Sequence, residues 1–255
     1  MNLLLRLLLL LGVVSTSACQ FSFGALPLNF TEERSQNWSL EGITELHIVS
    51  EAGAVEVFGS AAAAEVQLDG VAKASSQAAL ENLRMVATRE GSTLRLEAVL
   101  APDLHNDRVA YEMRLQVPSQ LALRIADGSG SIRAEDVGPL VIADGSGSIT
   151  LQRVAGDVTL VDGSGSIVLK DIDGSVTLTD GSGSVTITQV RGGVHVLADG
   201  SGSMTLEGVD GDVRIDADGS GSISVVNIAG DVFLGPTGSG GFVHKGVQGN
   251  VILNG

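Results

Sequence analysis

The pentapeptide Asp127-Gly128-Ser129-Gly130-Ser131 returns at Asp144, Asp162, Asp180, Asp199 and Asp218, and a decayed copy begins at Thr237. The successive spacings are 17, 18, 18, 19, 19 and 19 residues. A period this short and this constant marks a solenoid, in which each repeat is one coil stacked on the last. A finer period lies beneath it. Gly, then a small or polar residue, then an apolar one, begins at Gly138, Gly147, Gly156, Gly165, Gly174, Gly183 and Gly192, and continues through Gly202, Gly211, Gly221, Gly230, Gly240 and Gly249. Each is followed by an alternating triplet such as Val158-Thr159-Leu160 or Ile167-Val168-Leu169. Alternation of this kind with β-branched residues is a half-buried strand, and the glycines supply the corners. One coil of ~18 residues is therefore two short strands and two corners. The fold class that follows is all-β, a single-stranded parallel β-helix over 127–255.

The two corners differ. One carries the Asp-Gly-Ser-Gly-Ser run; the other ends on an apolar residue, Val154, Ile172, Val190, Val209, Ile228 or Val247. Helix is excluded across this half, because the chain holds 34 Gly and shows no 3.6-residue apolar period there. A single coil buries too few aliphatic side chains to offset the ordering of its backbone, so only stacking makes it stable.

Residues 1–18 read as an export signal, with Arg6 near the start and an apolar stretch too short to span a bilayer. The signal ends in Ser17-Ala18-Cys19, and Cys19 is the chain's only cysteine. This resembles the lipobox of bacterial lipoproteins, which implies lipidation of Cys19 and a membrane anchor; Gln20 resembles the residue of outer-membrane-sorted lipoproteins. An ordinary secretory signal with an incidental Cys is the other reading. Residues 19–37 lack periodicity and read as a tether. Residues 38–126 form a less regular β region that caps the solenoid. Strands are expected over 46–49, 55–58, 66–71, 94–98, 109–117 and 121–125, with one helix over 76–84 capped by Ser76. The last residues, 251–255, read as a strand with no cap after it, an open edge that invites end-to-end pairing with a second copy.

The repeated aspartates are the sharpest candidates for chemistry. Stacking would line up Asp127, Asp144, Asp162, Asp180, Asp199 and Asp218 about 5 Å apart, where like charges repel. A cation such as Ca²⁺ would relieve that repulsion, which makes the six candidate metal ligands. The alternative is structural: each Asp bonds its own Gly-Ser-Gly corner and is otherwise solvated. The calcium-binding β-roll also repeats every nine residues, but it places Asp in both halves of the coil, and here Asp occupies one. His47, His105, His195 and His244 share no metal-ligand spacing, and the Gly-Ser-Gly units lack the strand-then-helix context of a nucleophile elbow. Near-identical coils with minimal loops leave no groove for a polysaccharide-active β-helix enzyme, so no catalytic residue and no required cofactor is assigned. Outward positions run Thr150, Val168, Thr186, Thr205, Ser224 on one face and Thr159, Thr177, His195, Arg214, Phe233 on the other. Fifteen Lys and Arg against 30 Asp and Glu give a net charge of −15, which repels nucleic acid.

Val117-Pro118, then Leu121 to Ile125 in alternation, then repeated Gly-Ser-Gly-Ser and Gly-Asp-Val strands resemble a family of bacterial adhesin-type domains of unknown function. These are β-strand-repeat proteins related to auto-transporter adhesin head domains. Ile43 to Ile48 and Gly53 to Gly59 are similar to that family's first strands. The resemblance implies a β-helix, commonly right-handed, on exported or envelope proteins, without catalysis and without an agreed set of functional residues. The expected protein is thus a non-catalytic envelope lipoprotein serving adhesion, binding or scaffolding, with a protein or glycan partner. A Ca²⁺-dependent binding module is the alternative.

Overall fold

Most inward positions of the repeats are aliphatic and most outward ones polar, so the chain winds with one face of the repeat strands turned inside. The computed structural model describes residues 27–104 and 106–254; the signal, Cys19, Gln20 and His105 lie outside them. The first half holds β1 (Phe30–Ser39), β2 (Glu45–Ser50), β3 (Val55–Ser60) and β4 (Glu65–Ala74), the helix α1 (Gln77–Asn82), then β5 (Arg84–Glu90), β6 (Thr93–Val99) and β7 (Val109–Pro118). The repeats follow as β8 (Ala122–Asp127), β9 (Gly130–Glu135), β10 (Leu140–Asp144), β11 (Gly147–Val154), β12 (Val158–Asp162), β13 (Gly165–Ile172), β14 (Val176–Asp180) and β15 (Gly183–Val190). They continue through β16 (Val194–Asp199), β17 (Met204–Val209), β18 (Val213–Ile215), β19 (Asp218–Ser220), β20 (Ile223–Ile228), β21 (Val232–Leu234), β22 (Thr237–Ser239), β23 (Phe242–Val247) and β24 (Val251–Leu253).

Alternate strands build two sheets. One runs β1-β4-β7-β3-β9-β11-β13-β15-β17-β20-β23; the other runs β24-β21-β18-β16-β14-β12-β10-β8-β2-β6-β5. Pairing within the repeats is parallel and stacks like on like: Val158 opposes Val176, Leu160 opposes Leu178 and Asp162 opposes Asp180. Ile149, Ile167 and Val185 line up in the other sheet. The second corner is sealed by Val154, Ile172, Val190, Val209 and Ile228, all buried. The step from 18 to 19 residues has a local cause. Leu178 pairs with Val196 but Thr179 pairs with Ala198, so Leu197 is an extra residue, bulged outward.

The first half is more regular than its sequence. Strands β2 and β3 are themselves a coil, parallel to β8 and β9 on one side and to β6 and β7 on the other. Stacking order therefore departs from chain order, because the later β6–β7 coil sits outside the earlier β2–β3 coil. Antiparallel strands then close this end: β4 on β7, β1 on β4, and β5 on β6. Helix α1 starts at Ser76, whose side chain accepts from Ala79 N at 3.1 Å, and it buries Ala79 and Leu80. Arg34 of β1 donates to the carbonyls of Leu80 and Leu83 and pins the helix end. Residues 30–37, expected to belong to a tether, instead form most of β1. That strand evades a period-two reading because it lies at a sheet edge and buries none of its side chains fully.

Candidate functional site: a buried aspartate column

Period two continues through the ends of the strands. In β12 the inward positions are Val158, Leu160 and then Asp162, and β10, β14 and β8 repeat the pattern. The six repeat aspartates are consequently inside the coil, from 2% exposed at Asp180 to 7% at Asp127 and Asp144. This corrects the expectation of solvated side chains along an outer edge. Ser50 of β2 extends the column: it is buried and in register with Asp127, and its hydroxyl acts on that carboxyl, favouring the charged form. At the other end Thr237 takes the place of Asp and is exposed.

The corner explains how the carboxylates are held. Glycine amides and the Asp and Ser carbonyls are used from coil to coil, as in Gly163 N to Asp144 O at 3.0 Å and Gly147 N to Ser164 O at 2.9 Å. The middle serine amide turns inward. Ser146 N donates to Asp144 Oδ1 and Ser164 N to Asp162 Oδ1, each at 3.3 Å. The corner bond expected of these residues is thus present at two rungs. Oδ2 of Asp144 and Asp162, both carboxylate oxygens of Asp127, Asp180 and Asp199, and Oδ1 of Asp218 make no hydrogen bond of normal geometry. At Asp127, Asp180 and Asp199 the corner amides act only as weaker donors that partly oppose the effect of burial.

Dry surroundings and like charge act on these groups together. Burial, then the charges of Asp127 and Asp162, push the Asp144 carboxyl up to about 6. Burial, then Asp199 and Asp162, push Asp180 up to about 6. Burial also raises Asp127, Asp162, Asp199 and Asp218. As candidate metal ligands the six fit poorly. Ca²⁺ takes six to eight oxygens around one point, whereas these carboxylates run in single file and the corner carbonyls are engaged. Among the described residues no three His, Cys, Asp or Glu side chains converge closely enough to hold a metal ion.

Outside, the expected columns are in register: Thr150, Val168, Thr186, Thr205 and Ser224 on one sheet, Thr159, Thr177, His195, Arg214 and Phe233 on the other. A further column, unremarked in the sequence, is the exposed serine row Ser131, Ser148, Ser166 and Ser184 beside the corner. His195 points outward, its Nε2 2.7 Å from Asp216 Oδ2, and Arg214 Nε bonds the other oxygen of that carboxylate at 2.6 Å. These bonds, His195's first, hold Asp216 below the usual carboxylate range. His47 lies beside Arg95 on β6, and burial followed by Arg95 and Arg124 lowers its proton affinity. His244, nominally inward, is exposed in β23. Among the described residues His47, His195 and His244 stand on different strands, β2, β16 and β23. A cleft of about 600 Å³ opens at the capped end, where Glu51, Leu83, Val99 and Tyr111 meet Ser129 of the first repeat.

No family model matches the chain, and no curated protein matches it. Solved structures with a similar course include a "putative lipid binding protein" from Parabacteroides distasonis, 16% identical, with a TM-score of 0.43 over 88% of this chain and 97% of that one. A "putative adhesin" from Bacteroides fragilis is 11% identical, with a TM-score of 0.41 over 87% and 97%. A "putative cell adhesion protein" from Clostridium sporogenes is 10% identical, with a TM-score of 0.36 over 88% and 99%. Two of the three carry an adhesion description. At these identities and scores the likeness carries no argument about what this chain binds.

Proposed function

We propose that this protein is a non-catalytic binding, adhesive or scaffolding module of the cell envelope, exported by residues 1–18 and held to the outer membrane through lipid on Cys19. The observation that carries this reading is coil-to-coil uniformity: strands stack in register on their equivalents, so the outward residues form columns along both sheets, rich in threonine and serine with Val168, His195, Arg214 and Phe233 among them. Such a surface offers many equivalent contacts to an extended protein or glycan, and repetition multiplies weak ones. A hydrolase needs the opposite, a local break in uniformity that gathers acid and base groups around one bond. Among the described residues strands β23 and β24 each pair on one side only, which supports a further element of the proposal, end-to-end association of two copies.

The test is fractionation followed by binding. The chain should enter the membrane fraction, and Cys19→Ser should release it. The purified chain should bind intact envelopes or immobilised glycans saturably and leave them uncleaved. Release of reducing ends from a polysaccharide would replace this reading with the enzymatic one. Sedimentation showing only monomer at high concentration would remove end-to-end association.

A further inference from the structure

The aspartate column poses a problem that its own geometry can answer. Six carboxyls stand in single file, with Asp144, Asp162, Asp180 and neighbours in register from rung to rung. Several oxygens lack a hydrogen bond of normal geometry, and among the described residues no basic side chain is buried with them. Among the described residues the only buried polar or charged side chains are Ser50 and these six aspartates. The inward residues that follow the corner, Ile132, Ile149, Ile167, Val185, Met204 and Ile223, are apolar. The facing donors are the corner amides, already placed at Asp144 and Asp162. A fully ionised column would bury adjacent like charges without compensation, which is costly in a dry interior. A proton on one carboxyl converts it from acceptor to donor and gives a neighbour's orphan oxygen its partner.

We propose that the column retains protons on alternate rungs, each protonated aspartate donating to the charged carboxylate stacked beside it, so that the solenoid takes up protons on folding and tightens as its surroundings acidify. The rungs most strongly affected are Asp144 and Asp180, which are separated by Asp162, as alternation requires. The sign follows from linkage. A group that holds its proton more firmly folded than unfolded draws protons in on folding, so stability rises as pH falls through the interval between the two affinities. The inference is independent of what the outer faces bind.

The experiment uses the full chain. Thermal or urea unfolding is followed between pH 7 and pH 5 in EDTA, and again in millimolar Ca²⁺, for the parent, Asp180→Asn and the exposed control Asp103→Asn. The parent's folding constant should rise on acidification, about tenfold per pH unit for each proton taken up. Asp180→Asn, whose amide donates without titrating, should reduce that slope, and Asp103→Asn should leave it alone. At pH 6, where an ordinary aspartate is about 99% ionised, the infrared spectrum should contain the carbonyl band of protonated carboxyls. A flat pH response, a slope unchanged in Asp180→Asn, or absence of the band overturns the proposal. So does stabilisation by Ca²⁺ that Asp180→Asn abolishes, which would put a cation where we place protons. Should Asp180→Asn fail to fold, the parent's band decides.

Discussion

Gly165 has φ +146, and a Cβ added there would lie 1.5 Å from the carbonyl oxygen of Gly147 in the coil before it. The same contact recurs at Gly147, Gly202, Gly221 and Gly240, so the corner glycine is demanded by both backbone conformation and the coil below. Gly165→Ala should cost more than about 3 kcal/mol in urea unfolding, because neighbouring backbones must part. Gly91→Ala is the comparison: φ is +63 but nothing lies within 4 Å, so the loss should be about 1–2 kcal/mol. At the opposite corner a different column is left-handed, including Asp136, Arg153, Asp171, Gln189 and Asn227 at φ 55–59, with Gly208 and Gly246 in the later coils. Only the last two suit the conformation fully. Gln189→Gly should therefore raise stability by about 0.5–1 kcal/mol, the relief of left-handed strain less the entropy that glycine loses. An unchanged or lower unfolding midpoint would contradict this.

Elements here are interchangeable in a way that helices of a globular core are not. Val158 and Val176 occupy one register position in successive coils, so deleting residues 158–175 rejoins Asp157 to an equivalent valine. That variant should fold with parent-like circular dichroism and somewhat lower stability, as nearest-neighbour stacking predicts. Removing only 158–166 should fail, because strands of one sheet would then be forced into the other and their inward residues would meet different partners. The same logic bears on α1, which exists to close an end. Ser76→Ala should cost about 1 kcal/mol through the lost cap, read as a lower melting temperature with the β signal of the repeats retained.

Across the whole molecule two sets of carboxylates oppose one another. Exposed Asp136 is held below its ordinary range by Arg153, and Asp216 by His195 and Arg214. Both favour the folded state above the ordinary carboxylate range, and that benefit is lost as pH falls through their depressed values. The buried column does the reverse: its contribution is complete below the ordinary value of 3.8 and disappears as pH rises through about 6 at Asp144 and Asp180. Stability should consequently peak in mildly acidic solution, between about pH 4 and 6, and decline towards neutrality. A melting temperature that climbs steadily from pH 5 to pH 8 would contradict this balance.

The repeats were legible residue by residue because each strand repeats one solution: a glycine corner, then alternation with valine, isoleucine or leucine inside. Local rules suffice when every coil meets a copy of itself. The inward direction of Asp162 follows from Leu160 two positions earlier, because the alternation runs on to the end of the strand. The antiparallel edge strands were a different matter. β1 and β5 bury almost nothing, so no apolar period announces them, and their pairing depends on the edges of β4 and β6. The insertion of the β2–β3 coil beneath the later β6–β7 coil was equally hidden, since stacking order arises from contacts between segments far apart in the chain. Whether a repeated aspartate faces water or a column of its own kind is also settled between coils, because only stacking brings the carboxylates together and excludes the solvent that would have kept them ionised.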